Sequence, residues 1–251
     1  MTTQTPIPAA TLVLFRERAG AAPDLLMVER AKAMVFAGGA LVFPGGRVDP
    51  GDRALALELG GDPADTAGRI AAIRETVEEV GLPIGLAPTP DVATLHALRA
   101  ALHHGTAFGT ALHAAGITLD LSILTPFARW LPAQAPVRKF DTLFYLARLP
   151  ADAPAPQVDA TENVRLFWSS AQAVLDEADA GRVTVIFPTR RNLERLARFA
   201  SFDEAAADAA RHPIRAVTPW IERRDGQDHL CIPDDLGYPV TAELLTSTVR
   251  G

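Results

Sequence analysis

The apolar residues of this chain come in two rhythms. Ala9 to Arg16 and Asp24 to Arg30 are short, nearly unbroken apolar runs of the kind buried strands make. Ala19 to Pro23 between them is a turn, so the pair predicts a hairpin. Ala40-Leu41-Val42 reads as another short strand. Leu121 to Leu131 and Arg138 to Leu149 read as two more, joined by a proline-containing turn, and Asn163 to Trp168 as a further one. Elsewhere the period is helical. From Ile70 to Leu82, Ile73, Val77 and Val80 share one face. Asp62 before Pro63 is a start signal, and Gly81 followed by Pro83 is a stop.

Smaller signals fill the gaps. Arg53 to Leu59 reads as a short helix broken by Gly60-Gly61. Asp91 to Ala115 is helical in part, with Leu95, Leu98 and Leu102 on a buried face. Ser169 and Gln172 make a capping box for a helix running to about Ala180. Val183 to Phe187 is extended, and Pro188 opens a helix to about Phe202. Strand character returns from Ile214, with a hairpin turn at Arg224-Asp225-Gly226 and a return strand through His229 to Ile232. That hairpin either extends the sheet or forms a homodimer contact. Strands and helices mixed in this way predict an α/β protein.

Composition narrows the class. A chain of 251 residues, 48% of them hydrophobic, has ample core for one elaborated domain. A net charge of −6 argues against a nucleic-acid coat and against an anionic membrane surface. The lone Cys231 excludes an internal disulfide framework and fits a reducing cytoplasm. Met1 to Ala10 has no secretory pattern, Val249-Arg250-Gly251 is no peroxisomal address, and no apolar run spans a membrane. The expectation is a cytoplasmic protein.

The chemistry concentrates between Pro44 and Leu82. Glu75, Glu78 and Glu79 project together from the helix beginning near Ile70. Three such carboxylates repel one another unless neutralised, and a hard divalent cation suits their oxygens; the alternative is a solvated acidic face. Arg74 lies one turn before Glu78 and can orient it. Upstream, Gly45 and Gly46 follow the Ala40–Val42 strand and let backbone approach a ligand or metal closely.

These two stretches together resemble the Nudix hydrolase family, whose signature is G-x5-E-x7-R-E-U-x-E-E-x-G-U with U apolar. Gly46 looks like the opening glycine, and Arg74 to Leu82 match the closing half, with Thr76 at U. The stretch from Gly46 to Arg74 is about fourteen residues longer than the pattern, so an insertion sits inside the signature loop. Counting back from Arg74 puts the opening glycine at Gly60 and the first glutamate at Thr66, which cannot replace a carboxylate. Glu58, Asp62 or Asp65 would then substitute, or the metal set rests on Glu75, Glu78, Glu79 and a Gly46 carbonyl.

The resemblance implies one Nudix domain over residues 1–251: an α/β/α sandwich with a mixed sheet, a helical insertion over 91–116 and a C-terminal extension over 203–251. It implies Mg²⁺- or Mn²⁺-dependent hydrolysis of a phosphoanhydride in a nucleoside diphosphate derivative. Glu78 and Glu79 would be metal ligands, Glu75 a third ligand or the base, and Arg74 a positioning residue.

A narrower likeness lies upstream. Leu26, Arg30, Ala31, Gly39, Phe43, Pro44, Gly45, Gly46 and Asp49 are in register with a motif of the coenzyme A-cleaving Nudix enzymes. Met27, Val28 and Val35 depart from it, and Val35 replaces an arginine. Trp130 with Arg138-Lys139-Phe140-Asp141-Thr142 also resembles that branch, and the long insertion resembles its mammalian peroxisomal members. CoA or acyl-CoA would yield 3′,5′-ADP and (acyl-)phosphopantetheine, with Arg30, Arg47, Arg138, Lys139 and Phe140 as substrate contacts. Two rivals stand: a hydrolase of ADP-ribose, dinucleotides or nucleotide sugars, and a Nudix-like nucleotide sensor that does not cleave. Glu162 is either a solvated loop acid or a base. His96, His103, His104 and His113 lack a compact ligand spacing and read as surface histidines. Their segment is expected to lie over the site as a specificity insert.

Overall fold

Strands that read as unbroken apolar runs do so because they are buried on both faces. A computed structural model describes residues 5–34, 37–133, 139–159 and 163–247 of the chain. It begins with strands β1 (Ile7–Arg18), β2 (Ala21–Arg30), β3 (Ala40–Val42) and β4 (Gly45–Arg47). Helices α1 (Pro50–Leu59) and α2 (Pro63–Val80) follow, then β5 (Leu86–Ala87). Helices α3 (Val92–His103) and α4 (Phe108–Ala115) precede β6 (Thr118–Leu119). The sheet resumes with β7 (Thr125–Trp130), β8 (Phe140–Arg148) and β9 (Asn163–Ser170). Next come α5 (Ala171–Asp179), β10 (Thr184–Val185), α6 (Phe187–Leu196) and α7 (Phe202–Arg211). The last elements are β11 (Ala216–Val217), β12 (Trp220–Arg224), β13 (Gln227–Cys231) and β14 (Ala242–Leu244).

The main sheet is mixed and runs β10-β3-β2-β1-β8-β7-β11, with β4 also on β1 and β9 also on β2. β1 pairs antiparallel with β2 and parallel with β8. Alternation along each central strand sorts its residues between two cores. Leu12, Leu14, Leu26, Val28, Tyr145 and Ala147 face one core, which α2, α3 and α4 cover. Val13, Phe15, Leu25, Met27, Phe144 and Leu146 face the other, beneath α5, α6 and α7. The result is the α/β/α sandwich expected from the sequence.

The C-terminal part is fastened into the second core. Arg195, 1% exposed, donates to Asp208 on α7 at 2.9 Å and to the Phe127 carbonyl at 3.2 Å, with its guanidinium 4.2 Å from the Phe127 ring. Tyr238 accepts from the Trp130 indole at 3.0 Å and donates to Asn192 at 3.0 Å. A buried ion pair is favourable only when its remaining hydrogen-bonding capacity is met, and here carbonyl and ring contacts meet it.

Three sequence expectations shift. Helix α5 is capped by Ser170, whose hydroxyl accepts from the Ala173 amide, and not by Ser169. Helix α6 ends at Leu196, and a separate helix, α7, follows with Ser201 as its cap. Its buried residues are Ala205, Asp208 and Ala209, and Asp208 pairs with Arg195 of α6. Helix α1 starts at Pro50, earlier than Arg53, because Asp49 and Asp52 form its capping box.

Helix α2 lies so close to the sheet that a methyl on Gly68 would stand 2.7 Å from the Tyr145 hydroxyl and 2.8 Å from Leu143. Alanine raises helix propensity by about 1 kcal/mol, while overpacking costs about 1–3 kcal/mol. The overpacking should win, because the Tyr145 hydroxyl also loses its bonds to Asp65. Gly68→Ala is therefore expected to lower stability by about 1 kcal/mol or more in urea unfolding. A midpoint at or above the parent's would mean that the helix is less closely packed than this.

Candidate active site

Helix α2 is set in depth and in roll before it carries any chemistry. Asp62 caps it by accepting from the Ala64 and Asp65 amides, and Gly81 ends it in a left-handed conformation at φ 65°. Ile70, Ile73, Val77 and Val80 are fully buried against the sheet. Each contributes about 1.5–3 kcal/mol of burial, so the helix cannot rotate cheaply. That roll turns Arg74, Glu75 and Glu78 toward one large cleft and Glu79 toward Gly45 on β4.

Arg74 is the hub. Its guanidinium donates to both carboxylate oxygens of Asp52 on α1, with Nε and Nη2 each 3.0 Å from one of them. It also donates to the Arg47 carbonyl at 2.8 Å and lies 3.0 Å from Glu75 and 3.2 Å from Glu78. Burial disfavours its charge, but Glu75 and Asp52 more than offset this and hold its pKa above the usual arginine range. Arg74 thus orients Glu78, as its place one turn away suggests, and braces Glu75 as well.

Two glycines let the backbone meet the helix. A side chain on Gly46 would overlap the Glu75 carboxylate, and one on Gly45 would overlap the Ala10 carbonyl and Thr11. Gly45 donates its amide to Glu79 at 2.9 Å, and Asn163 donates to the other Glu79 oxygen at 3.0 Å. Burial pushes the Glu75 carboxyl above the ordinary range, with Arg74 pulling it back and Glu79 and Glu78 adding to the rise. Burial likewise raises Glu79, against the hydrogen bonds from Asn163 and Gly45.

Around Arg74 the carboxylates of Asp52, Glu75, Glu78 and Glu79 exceed the positive charge that the guanidinium supplies. The donors are hard oxygens, so the set fits Mg²⁺ or Mn²⁺ in charge and in ligand type. Among the described residues, no three acidic, histidine or cysteine side chains converge as a ready cage. Arg74 stands between Glu75 and Glu78, and Glu79 is turned to Gly45 and Asn163.

No protein-family model matches the chain. A Caenorhabditis elegans protein named as a nudix hydrolase is 30% identical over 219 residues, spanning 85% of this chain and 69% of that one. The chain belongs to the Nudix hydrolase family. Acyl-coenzyme A diphosphatases of Gallus gallus and Homo sapiens are 25% and 26% identical, over 86% and 84% of this chain and 73% and 72% of theirs. The crystal structure of a Nudix hydrolase from Alicyclobacillus acidocaldarius matches with a TM-score of 0.70 at 27% identity, over 82% of this chain and 97% of that one. Nudix hydrolases generally use divalent metal ions.

In this Nudix hydrolase the cleft beside the carboxylates has a volume of about 1160 Å³. Gly46, Arg74, Glu75 and Glu78 border it, together with Arg30, Arg47 and Phe140 from the expected substrate contacts. Lys139 does not border it; its ammonium donates to the Ala133 carbonyl at 3.3 Å. Arg138, Glu162 and Val35 lie outside the described residues. Thr66 is not at the site, since it sits two helical turns before Arg74 and donates to the Gly60 carbonyl at 3.0 Å. Of its suggested substitutes, Asp62 caps α2, Asp65 pairs with Arg69 at 2.6 Å, and Glu58 is exposed.

The acid that meets Arg74 is Asp52. It stands six residues after Gly46, the spacing that the signature gives its first glutamate, so the insertion falls after the acid and not before it. A forward count from Gly46 would have found it. Asn163 had no local signal, because its partner Glu79 is 84 residues away. His103 reads from sequence as a surface histidine, yet it borders the cleft with Nδ1 3.9 Å from Glu78. The α3–α4 segment therefore does reach the site. Its Arg99 also donates to the carbonyls of Glu78 and Glu79, at 2.8 and 3.0 Å, at the end of α2.

Asp52→Asn should leave Arg74 with a neutral partner and free it to neutralise Glu75 and Glu78. Turnover of a nucleoside diphosphate substrate is expected to fall about tenfold or more, while Thr66→Val should stay within about twofold of the parent. Equal effects of the two substitutions on kcat would contradict the assignment.

Proposed function

We propose that this Nudix hydrolase cleaves the diphosphate of CoA or an acyl-CoA, releasing 3′,5′-ADP and phosphopantetheine or its acylated form. The observation that carries the reading is the placement of the upstream motif. Arg30, Phe43, Gly45, Gly46 and Asp49, which match the CoA-cleaving pattern, border the same cleft as Glu75 and Glu78. Relatives named acyl-coenzyme A diphosphatases, matched over most of this chain, support it.

Glu75, Glu78 and Glu79, with the Gly46 carbonyl, would hold Mg²⁺ or Mn²⁺. When bound, such an ion offsets diphosphate charge and lowers the pKa of an attacking water. The chain's own residues do the positioning. Arg74 fixes Glu75 and Glu78, Asn163 and Gly45 fix Glu79, and Asp52 takes a share of the Arg74 charge so that Glu75 and Glu78 are only partly neutralised. Arg30 supplies a positive charge to the diphosphate, and the half-buried Phe140 offers a face to an adenine or an apolar group. Glu75 serves as a third ligand or as the base. The arginine of the CoA motif that is replaced by Val35 favours a second reading, a broader diphosphatase acting on ADP-ribose, dinucleotides or nucleotide sugars.

Product analysis separates these. Purified protein with Mg²⁺ or Mn²⁺ should release 3′,5′-ADP from CoA or acyl-CoA, and Glu78→Gln or Glu79→Gln should reduce turnover by about a hundredfold or more with an unchanged circular dichroism spectrum. Cleavage of ADP-ribose or a dinucleotide without CoA would select the broader reading. Full activity in both variants would remove the ligand assignment.

Stability gives an independent readout. The Glu75 and Glu79 carboxyls, raised to about 8 and about 7, bind protons more tightly in the folded chain than in the unfolded one. Protonated burial is therefore favoured at low pH, and the metal-free protein loses stability as pH rises from the ordinary carboxyl value of 4.5 to about 8. Added Mn²⁺ should raise Tm more at about pH 8 than at about pH 5.5, because the carboxylates are then charged and without competing protons. Equal shifts at both pH values would place metal binding elsewhere.

A further inference from the structure

The cleft is divided by chemistry. Among the described residues, the charged side chains bordering it all come from between Arg30 and His103, around the carboxylates. The wall built from Trp130 to Leu230 carries none among the described residues. Its surface is Phe140, Ile186, Phe187 and Leu230, with Trp220 and Ile221 projecting from β12. Leu230 and Ile221 are direct cross-strand partners on β12 and β13, so the C-terminal hairpin contributes both to one patch. Leu230 is buried, but Trp220 is 43% and Ile221 54% exposed. Trp220 and Ile221, consecutive on β12 and so on its opposite faces, are thus both left exposed where the hairpin borders a cleft whose other part is acidic.

We infer that this wall receives the acyl chain of an acyl-CoA, which makes Trp220 and Ile221 specificity-determining residues for chain-bearing substrates over free CoA. The inference rests on the CoA reading above. Continuity supports it, since one cleft of about 1160 Å³ joins wall and carboxylates, and one molecule can occupy both. Polarity supports it as well. Among the described residues, a second phosphate or a sugar would meet no charged side chain on this wall, and the side-chain hydroxyls it offers to a base edge are those of Thr142 and Thr189. An alkyl chain asks for nothing that the wall lacks, and its transfer from water is the driving force.

The test compares kcat/KM for octanoyl-CoA and for CoA in the parent and in a Trp220→Ala, Ile221→Ser double variant. The readout is the ratio of the two constants, so a general loss of activity or of folded protein cancels. The parent is expected to favour octanoyl-CoA by about tenfold or more, and the variant's ratio should fall to about one. A parent ratio near one, or a ratio that survives both substitutions, overturns this inference and leaves CoA cleavage standing. Cleavage of ADP-ribose with no cleavage of either thioester or CoA overturns both readings. Light scattering on the parent that shows a dimer, converted to monomer by the same substitutions, also overturns it, because a second copy would then cover the wall.

Discussion

A single buried guanidinium organises the functional half of this molecule. Arg74 is 6% exposed, and an unpaired charge at that depth would cost several kcal/mol. Its partners come from three separate pieces of chain: Asp52 on α1, the Arg47 carbonyl on β4, and Glu75 and Glu78 on its own helix. Satisfying one side chain therefore aligns the glycine strand β4, helix α1 and the carboxylate helix α2. The alignment leaves a surplus of carboxylate, and that surplus makes the place attractive to a cation.

The sheet supplies the rigidity against which this arrangement works. β1, β2 and β8 send alternate side chains to opposite cores, so neither helical layer can shift without uncovering the other face's packing. The carboxylate helix rests on one side. The second core, tied together by Arg195 and Tyr238, holds the C-terminal hairpin beside the same cleft. Acidic chemistry from the first half of the chain and an apolar wall from the second half thus meet in one cleft.

Much of this was legible in the residues. Two-faced burial makes β1 and β2 visible as apolar runs, and capping residues mark both ends of α2 because Asp62 and Gly81 act locally. The carboxylate face follows from helical spacing alone. What escaped depends on contacts remote in sequence or on small side chains. Helix α7 buries Ala205 and Ala209 with Asp208, which is held by Arg195 from the preceding helix. Asn163 matters only through Glu79, and His103 only because the α3–α4 turn folds back. Counting back from Arg74 reaches Thr66, whereas the chain keeps the signature spacing from Gly46 to Asp52. The ion pair with Asp52 shows which count is physical.

The excursion between Asp52 and Arg74 has a further meaning. Both ends of it are pinned at one point in space, and α1 and α2 pack on each other in between. Lengthening a closed excursion about threefold adds only about 1 kcal/mol of closure entropy. Distance along the chain is consequently a poor ruler for this signature: acid and arginine remain neighbours while the path between them is elastic. A pattern written with a gap of variable length, or written on the contact itself, would see through the insertion.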